Sequence, residues 1–267
     1  MDTSNPLSLA GKVALITGGG SGIGKGTAKA FAAQGCKLGL LGHEEGSLVE
    51  VAKELEAEGA EVAVLVADVS KADQMQAAVQ KLVDRFGRLD IAFANAGING
   101  VWAPIDEITP EEFDKTMNVN LRGTFLTIKY AVPHIRNQGG GSILVTSSVN
   151  GTRTFSNTGA TVYSASKAAQ VAMTKMLAVE LGQDNIRVNC ICPGAIKTNI
   201  GENTEQRNTE EIKIPVHFPE GSNPLTGRRP GSIDQVGRLA LFLVSDLADH
   251  INGEVVYIDG GASLVTG

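Results

Sequence analysis

Short apolar runs alternate with stretches of mixed polarity along the whole chain. The apolar runs predict strands that are buried on both faces, because such strands show no alternation of polar and apolar positions. The stretches between them carry apolar residues at helical spacing, and two of them end at Gly59 and Gly87, a typical helix stop signal. Seven strands are predicted, at 11–16, 36–41, 61–67, 89–94, 141–146, 186–191 and 254–258. Helices are predicted at 22–34, 44–58, 71–86, 110–135, 161–181 and 233–247.

This alternation indicates an α/β fold, with a doubly wound parallel sheet of about seven strands and helices on both faces. A chain of 267 residues suits a single unit of this type, so we expect one domain over residues 1–267. The segment 198–230 shows no clear periodicity. Because irregular loops of that length in a compact domain are usually lids or binding loops, we expect a substrate loop there.

The first predicted strand runs into a glycine-rich turn at residues 17–24, Thr-Gly-Gly-Gly-Ser-Gly-Ile-Gly. Glycines let the backbone turn sharply and approach a diphosphate, and free N–H groups at the N-terminus of the next helix favour anionic oxygens. The spacing differs from the commoner Gly-x-Gly-x-x-Gly, and an isolated glycine motif is also compatible with a plain surface loop. The strand, turn and helix context favours a nucleotide-binding turn over that alternative.

Tyr163 and Lys167 stand four residues apart in Val-Tyr-Ser-Ala-Ser-Lys, within a predicted helix. Positions i and i+4 share a helix face, so the ammonium can lie near the phenol and favour its ionised form. A phenol with its ordinary pKa of about 10 exchanges protons poorly at neutral pH, and a nearby cation lowers that pKa. Alone, the pair is compatible with any amphipathic helix. Together with the glycine-rich turn, it indicates an oxidoreductase.

Composition and charge narrow the choice of partners. Apolar residues make up 42% and charged residues 19% of the chain, which suits a globular protein with an ordinary core. The formal net charge of −6 gives no basic field, so we expect neither nucleic acid nor an anionic membrane as a partner. No apolar run approaches the roughly 20 residues that span a bilayer, and the first residues lack the pattern of a signal peptide. We therefore expect a cytoplasmic protein.

The cysteines and histidines predict neither a disulfide framework nor a metal site. The chain has three cysteines, and an odd number argues against a framework of pairs. Period-two spacing places Cys190 and Cys192 on the same face of a strand, where we expect small buried side chains. No histidine is close to them in sequence, so no cluster of metal ligands is visible. The histidines are His43, His134, His217 and His250.

Polar residues and glycines follow most of the predicted strands. In a doubly wound sheet, ligands bind beyond the carboxyl ends of the strands, near the point where the strand order reverses. These exits therefore predict one continuous cleft. They are 17–20 after the first strand, 68–69 after the third, 95–97 after the fourth, 147–148 after the fifth and 193–194 after the sixth.

With these motifs the chain resembles the classical short-chain dehydrogenase/reductase family over essentially its whole length, up to Ile-Asp-Gly-Gly at 258–261. The resemblance implies a single Rossmann domain, usually a homotetramer, that binds NAD(H) or NADP(H) and transfers hydride reversibly to or from a small alcohol or ketone substrate. It also implies a set of cofactor-binding residues. They are Gly18, Ser21, Ile23, Gly24, Asp68, Val69, Asn95, Ala96, Gly97, Tyr163, Lys167, Pro193, Gly194, Ile196 and Thr198.

The resemblance further implies a catalytic set of Asn120, Ser148, Tyr163 and Lys167. Tyr163 would exchange a proton with the substrate oxygen, and Ser148 would hydrogen-bond that oxygen. Lys167 would lower the pKa of the phenol and hold the nicotinamide ribose. Asn120 would position a water molecule, although its place inside a predicted helix is equally compatible with a structural role.

The spacing between the serine and the tyrosine departs from the family pattern. Ser148 stands 15 residues before Tyr163, which is longer than usual in the family. We therefore expect a lengthened loop over residues 150–161 and an altered substrate pocket. Ser147 remains an alternative to Ser148 as the functional serine.

The end of the second strand also departs from the pattern. An acidic residue there would bind the ribose 2′-hydroxyl and select NAD, but the chain has Gly42 followed by His43. His43 can donate a hydrogen bond to a 2′-phosphate, and we include it among the cofactor-binding residues. Against this, no Arg or Lys stands at Ser21 or His43, and acidic residues follow at 44–45. We expect NADP(H) to be preferred, with NAD(H) as the alternative.

The substrate cannot be read from the sequence. Trp102, Asn150, Phe155 and the segment 198–230 are candidate pocket residues, and surface packing explains them equally well. Two alternative functions stay open at this point. One is a 3-oxoacyl-carrier-protein reductase, which the lack of an evident basic patch for an acidic carrier disfavours. The other is a nicotinamide-binding regulatory protein without turnover, which the presence of all four catalytic residues disfavours.

Overall fold

The computed structural model describes residues 5–198, 200–201, 204–214, 225 and 229–266, and its main feature is a large parallel sheet. The strands are β1 (Val13–Thr17), β2 (Lys37–Gly42), β3 (Val62–Val66), β4 (Ile91–Ala94), β5 (Val101–Trp102), β6 (Gly141–Thr146), β7 (Ile186–Pro193), β8 (Glu205–Gln206) and β9 (Val255–Ile258). Seven of them form one sheet in the order β3-β2-β1-β4-β6-β7-β9, with every pair parallel. The short strands β5 and β8 pair with each other apart from this sheet.

Helices cover both faces of the sheet. They are α1 (Gly22–Ala32), α2 (Glu45–Ala57), α3 (Ala72–Phe86), α4 (Pro110–Met117), α5 (Gly123–Asn137), α6 (Thr161–Gly182), α7 (Ile233–Val244) and α8 (Ser263–Thr266). One hydrophobic core lies between the sheet and α3, α5 and α6, and a second lies between the sheet and α1, α2 and α7. The predicted fold class, a doubly wound Rossmann-type sheet, is confirmed.

Strand β1 shows why the sheet strands read as continuous apolar runs. Val13 and Leu15 pack into the core on the α6 side, whereas Ala14 and Ile16 pack into the core on the α1 side. All four side chains are fully buried. Alternate residues of a strand point to opposite faces, so a strand between two cores is apolar at every position.

The strand order reverses beside β1. Leu15 lies opposite Gly39 of β2 on one side and Ala92 of β4 on the other, and the later strands follow outward from β4. The chain therefore leaves β1 and β4 in opposite directions across the sheet. A crevice opens beyond the carboxyl ends of these two strands, which is the usual ligand-binding position in such sheets.

All seven predicted sheet strands are present, but the single helix predicted at 110–135 is interrupted. A π-helical turn over Asn118–Arg122 separates α4 from α5, and the N–H of Gly123 donates to the carbonyl of Asn118, five residues earlier. A π turn contains one extra residue, but the apolar residues before and after it keep helical spacing. The hydrophobic pattern of the sequence therefore cannot reveal the π turn. This turn carries Asn120.

The segment 198–230, predicted as an irregular loop, contains short elements of regular structure. It contributes β8 and a 3-10 turn over Thr209–Ile212. Residues 199, 202–203, 215–224 and 226–228 of this prediction lie outside the described residues. The described part packs beside β5, which the sequence did not predict because a two-residue strand has too few positions to show a pattern.

Candidate active site

The glycine-rich turn between β1 and α1 has no room for side chains. Gly18 adopts φ +67°, and a Cβ atom on it would lie 3.1 Å from Nδ2 of Asn95 and 3.2 Å from the Cα atom of Ala96. A Cβ atom on Gly24 would collide with the carbonyl oxygen of Gly18. Ser21 directly precedes α1, but its hydroxyl does not cap the helix. The first N–H groups of α1 therefore remain available to an anionic ligand.

Thr17 ties the end of β1 to the end of β4. Its hydroxyl accepts hydrogen bonds from the backbone N–H groups of Asn95 (2.9 Å) and Ala96 (3.0 Å). The Asn95 side chain donates to the carbonyl of Thr17 at 3.0 Å and accepts from the hydroxyl of Thr146 at 3.0 Å. Sequence reasoning missed Thr17 and Thr146, and their only signal is a threonine at the end of each strand.

Ser148 is the serine that lies beside the tyrosine. Tyr163 extends from the first turn of α6, and the Ser148 side chain lies near its phenol, where it acts to lower the phenol pKa. The hydroxyl of Ser148 also accepts from the N–H of Asn150 at 3.2 Å. Ser147 instead donates to the backbone carbonyl of Lys167 at 2.7 Å. The two serines thus have different partners, and the geometry favours Ser148 over the alternative.

Lys167 lies one helical turn beyond Tyr163 and is only 3% exposed. Its ammonium donates to the carbonyl oxygen of Thr146 at 3.0 Å and lies 5.6 Å from the centre of the Tyr163 ring. A Cβ atom on Gly97 would lie 3.3 Å from this ammonium, so the backbone of the β4 exit lies against it. Burial lowers the pKa of Lys167 to about 8.

The phenol of Tyr163 is harder to ionise than expected from its neighbours. Burial raises its pKa, and the neighbouring Ser148 side chain acts in the opposite direction. The net shift is upward, so any lowering by Lys167 is outweighed in the protein alone. Desolvation of a phenolate is costly, and the sequence pattern contains no information about burial.

Asn120 is fully buried and holds the β4 exit in place. Its side chain accepts from the N–H of Ile98 at 2.8 Å and donates to the carbonyl of Ile98 at 2.9 Å and to the hydroxyl of Ser166 at 3.0 Å. Its own backbone carbonyl accepts from Thr124 and Gln170. Asn120 thus links three segments that surround Lys167. Its predicted role in positioning a water molecule stays a prediction.

The predicted adenosine-binding residues lie at the ends of β2 and β3. A Cβ atom on Gly42 would be 3.5 Å from its nearest neighbour in Leu48, so space for a side chain exists there. His43 follows and is exposed. Asp68 accepts from the backbone N–H and the hydroxyl of Ser70, and Val69 is buried. The end of β2 lies beside the glycine-rich turn, because the N–H of Gly19 donates to the carbonyl of Leu41 at 3.1 Å.

The segment after β7 returns to the glycine-rich turn. The N–H of Gly194 donates to the carbonyl of Ile258 at 3.1 Å, and Ile196 forms an isolated bridge with Gly231. The methyl group of Thr198 lies 3.3 Å from the position that a Cβ atom of Gly22 would occupy. The predicted nicotinamide-binding segment, which starts at Pro193, is thereby brought against the N-terminus of α1.

Trp102, a candidate pocket residue, lies beside the predicted catalytic tyrosine. Its ring centre is 6.5 Å from that of Tyr163, and its indole N–H donates to the carbonyl of Asn99 at 3.2 Å. Asn150 is buried, whereas Phe155 is 71% exposed. Phe155 borders an open depression of about 330 Å³ beside the start of α6, and none of the four predicted catalytic residues lines it. The place of Phe155 in the substrate pocket stays a prediction.

Cys190 and Cys192 are buried in the core on the α6 side of β7, as their spacing predicts. A hydrogen bond with Cys192 and burial raise the pKa of Cys190, which keeps it a neutral thiol. Among the described residues, there is no group of three or more histidine, cysteine or acidic side chains that could hold a metal ion. In that same part of the chain, no helix is long and apolar enough to cross a membrane.

Comparison with known proteins agrees with this geometry. The family model described as enoyl-(acyl carrier protein) reductase matches residues 18–263. Levodione reductase from Leifsonia aquatica is 42% identical over 98% of both chains. The crystal structure of a 3-ketoacyl-ACP reductase from Sinorhizobium meliloti 1021 is 55% identical, with a TM-score of 0.92 over 94% of this chain and 99% of that one.

Two further solved structures contain a nicotinamide cofactor. A 3-ketoacyl-(acyl-carrier-protein) reductase from Brucella melitensis complexed with NADH is 34% identical, with a TM-score of 0.85 over 96% of this chain and all of that one. A short chain dehydrogenase from Burkholderia cenocepacia J2315 in complex with NADP is 32% identical, with a TM-score of 0.83 over 97% and 99% of the two chains. The present chain belongs to the short-chain dehydrogenase/reductase family and is an oxidoreductase that acts on CH–OH and C=O groups.

Proposed function

We propose that this enzyme interconverts an alcohol and its carbonyl compound with a nicotinamide cofactor, and that Tyr163 is its acid and base. The observation that carries the proposal is that Ser148 and the Lys167 ammonium both lie beside the Tyr163 side chain. A positioned phenol and a second donor together suit an oxygen atom that gains or loses a proton.

The residues at the cleft fit a nicotinamide dinucleotide. The turn at Gly18 and Gly24 admits no side chain, and the uncapped start of α1 favours a diphosphate. We assign the diphosphate to this turn, the adenosine to Asp68 and the 95–97 exit, and the nicotinamide end to Lys167 and the 193–198 segment. When bound, the cofactor supplies or accepts the hydride.

In the reducing direction, Tyr163 donates its proton to the carbonyl oxygen while Ser148 donates a hydrogen bond to it. The raised pKa of Tyr163 keeps the phenol protonated at neutral pH, which is the form that reduction requires. Lys167 has a pKa of about 8, so its amine is mostly protonated at neutral pH. It can therefore supply a proton to replace the proton that Tyr163 gives to the substrate. In the oxidising direction, Tyr163 takes the proton back from the alcohol.

We propose a small, uncharged ketone or alcohol as the substrate. The indole of Trp102 borders Tyr163, and a charged cluster around Arg207, whose N–H bonds to the carbonyl of Trp102, contains three carboxylates. An acidic carrier protein would approach this side against like charge. The second candidate is a 3-oxoacyl-carrier-protein reductase, and the similarity to the Sinorhizobium meliloti protein favours it.

One panel of substrates tests both candidates. It contains small cyclic and acyclic ketones, the matching alcohols and an acetoacetyl carrier-protein thioester, each followed with NAD(H) and NADP(H) at the absorbance of the reduced nicotinamide. Turnover of ketones with little turnover of the thioester supports the first candidate. Measurable cofactor binding without any turnover would instead support the regulatory protein.

We propose that NADP(H) is preferred over NAD(H). Gly42 supplies no carboxylate to accept a 2′-hydroxyl or to repel a 2′-phosphate, and the exposed His43 can donate to that phosphate. The ratio of kcat/KM for the two cofactors decides the point. A tenfold or larger preference for NAD(H) would contradict it.

We also propose that the chain works as one Rossmann domain, with 198–230 as its substrate lid, in a cytoplasmic homotetramer. Apolar side chains on the outer surfaces of α5 and α6 support the assembly, since Phe125, Met176 and Val179 are 47%, 72% and 84% exposed. Light scattering of the purified protein measures the mass. A monomer at micromolar concentration would rule out the tetramer.

A further inference from the structure

The 204–214 segment of the loop after β7 is attached to the earlier part of the chain by very few backbone contacts. Strand β8 pairs with β5 over two residues, with Trp102 opposite Gln206. The N–H of Arg207 then donates to the carbonyl of Trp102 at 2.9 Å, and the Asn99 side chain donates to the hydroxyl of Thr204 at 2.7 Å. A two-residue ladder is marginal by itself, so side chains must supply most of the attachment.

Two neighbouring side chains supply that attachment. Asn208 donates to the two carboxylate oxygens of Glu107 at 3.1 and 3.0 Å, and the guanidinium of Arg207 makes the other bonds. It donates to both carboxylate oxygens of Glu112 at 3.0 Å and to the backbone carbonyl of Glu107 at 2.6 Å. Bidentate pairing of Arg with a carboxylate adds orientation as well as energy. Glu112 belongs to the first turn of α4, where it also accepts from the N–H of Thr109 as part of a capping box. One side chain of the loop thus bonds to two earlier elements.

The same side chain neutralises a crowded acidic cluster. The carboxylates of Glu107, Glu112 and Glu205 all lie within 3.6 Å of the Arg207 guanidinium. Without the guanidinium, these three like charges would repel one another across the junction between the loop and α4. Removal of Arg207 therefore has two effects. It removes the attraction between the loop and α4, and it leaves three carboxylates that repel one another.

This junction is joined through the backbone to the residue whose indole borders Tyr163, since the N–H of Arg207 donates to the carbonyl of Trp102. Trp102 is in β5. The next residue, Ala103, is held by a second backbone bond, because its N–H donates to the carbonyl of Gly159 at 3.3 Å. A Cβ atom on Gly159 would lie 3.1 Å from the methyl group of Thr209 and 2.7 Å from the nitrogen of Ala103. The loop, β5 and the segment before α6 are therefore packed together beside Tyr163.

We propose that Arg207 is a positioning residue for the reaction proposed above: by bonding the 204–214 segment to α4, it fixes Trp102 as the wall of the substrate pocket next to Tyr163. It touches neither Ser148 nor Lys167 in the described contacts, so its effect is on how the substrate is held. The inference rests on the proposed function for its kinetic part, whereas the position of Trp102 can be measured without any substrate.

Three variants separate this role from a general loss of stability. Arg207→Met removes the guanidinium and keeps an unbranched apolar stem. Glu112→Gln weakens the bidentate pair, while a glutamine at this position still completes the capping box of α4. Lys213→Met is the matched control, because Lys213 lies in the same segment and pairs only with the exposed Glu210 in the described contacts. Circular dichroism and Tm establish that each variant is folded.

Trp102 is the only tryptophan of the chain, so its fluorescence reports on the wall directly. We expect Arg207→Met to make Trp102 more accessible to acrylamide, to raise KM for the ketone about tenfold and to leave kcat within about threefold. Glu112→Gln should act in the same direction by a smaller factor, and Lys213→Met should match the wild type. Adding Glu112→Gln to Arg207→Met should lower KM again, because it removes one of the repelling charges.

Unchanged acrylamide quenching in folded Arg207→Met overturns the proposal, and so does a fall in kcat with KM unchanged. If Arg207→Met does not fold, Glu112→Gln carries the same test with the cap of α4 intact. A wild-type protein that turns over no carbonyl compound overturns the proposed function alone. The quenching measurement then still decides whether Arg207 holds Trp102 in place.

Discussion

The ammonium of Lys167 lies 5.6 Å from the centre of the Tyr163 ring, and its hydrogen bond goes to the backbone of β6 rather than to the phenol. The helix sets the spacing of the two side chains, and the bond to Thr146 anchors the ammonium to the sheet. Lys167 is therefore fixed from two sides before any ligand arrives, which is the kind of preorganisation that catalysis by electrostatics requires.

The Tyr163→Phe variant removes only the hydroxyl of Tyr163, which is the proposed proton donor. We expect turnover to fall at least about 100-fold, because positioned acid–base catalysis contributes 10²–10⁴-fold. Cofactor affinity and Tm should stay close to the wild type. Tyr130→Phe, which removes a hydroxyl from α5, serves as the control and should keep full activity. Activity above about a hundredth of the wild type in Tyr163→Phe would count against the assigned role.

The shifted pKa of Lys167 predicts a dependence of stability on pH. The pKa is about 8 in the folded protein against 10.5 for an ordinary lysine, so the unfolded state binds more protons between these values. The free energy of unfolding of the wild type should therefore rise from about pH 8 toward pH 10.5, relative to that of Lys167→Met. Urea denaturation of both proteins across this range measures the difference. A difference that is constant with pH would contradict the buried, shifted ammonium.

Asn120 and Asn118 provide a matched pair within one π-helical turn. Asn120→Ala leaves the N–H and carbonyl of Ile98 without their partner, so we expect a loss of about 3 kcal/mol in the free energy of unfolding. Asn118 is exposed, and Asn118→Ala should change stability by no more than about 0.5 kcal/mol. Chemical denaturation of both variants tests this, and equal effects would refute the structural role of Asn120.

Gly42→Asp tests the proposed choice of cofactor. Space exists for a side chain at Gly42, and a carboxylate there can accept a ribose 2′-hydroxyl and repel a 2′-phosphate. We expect the ratio of kcat/KM to move at least tenfold toward NAD(H). Gly42→Asn, which has nearly the same shape without the charge, should move it much less. If both variants behave alike, charge at this position does not select the cofactor.

The sequence predicted the sheet and the order of its elements because those features are local. Apolar runs, the glycine-rich turn and the spacing of Tyr163 and Lys167 are each written within a few consecutive residues. The predicted site residues at the strand ends are also brought together, because parallel strands have their carboxyl ends at one edge of the sheet.

What the sequence could not reveal depends on residues that are distant in the chain. Arg207 pairs with Glu112 across 95 positions, and nothing near either residue marks the other as its partner. The partners of Thr17 and the upward pKa shift of Tyr163 likewise depend on packing between elements. The two-residue strands β5 and β8 are defined only by their pairing with each other, so neither shows a strand pattern in its own sequence.

The π-helical turn at Asn118–Arg122 also affects how the length of this chain can change. The turn holds one residue more than the same turn of a regular α-helix, so deleting that residue would let it close as an α-helix while α4 and α5 keep their orientation. Within α5 itself each residue advances the helix by about 100°, so the same deletion there would rotate the face that includes Leu126, Ala131 and Ile135 out of the core. A one-residue deletion in the π turn that spares Asn120 should therefore be tolerated better than one in the middle of α5.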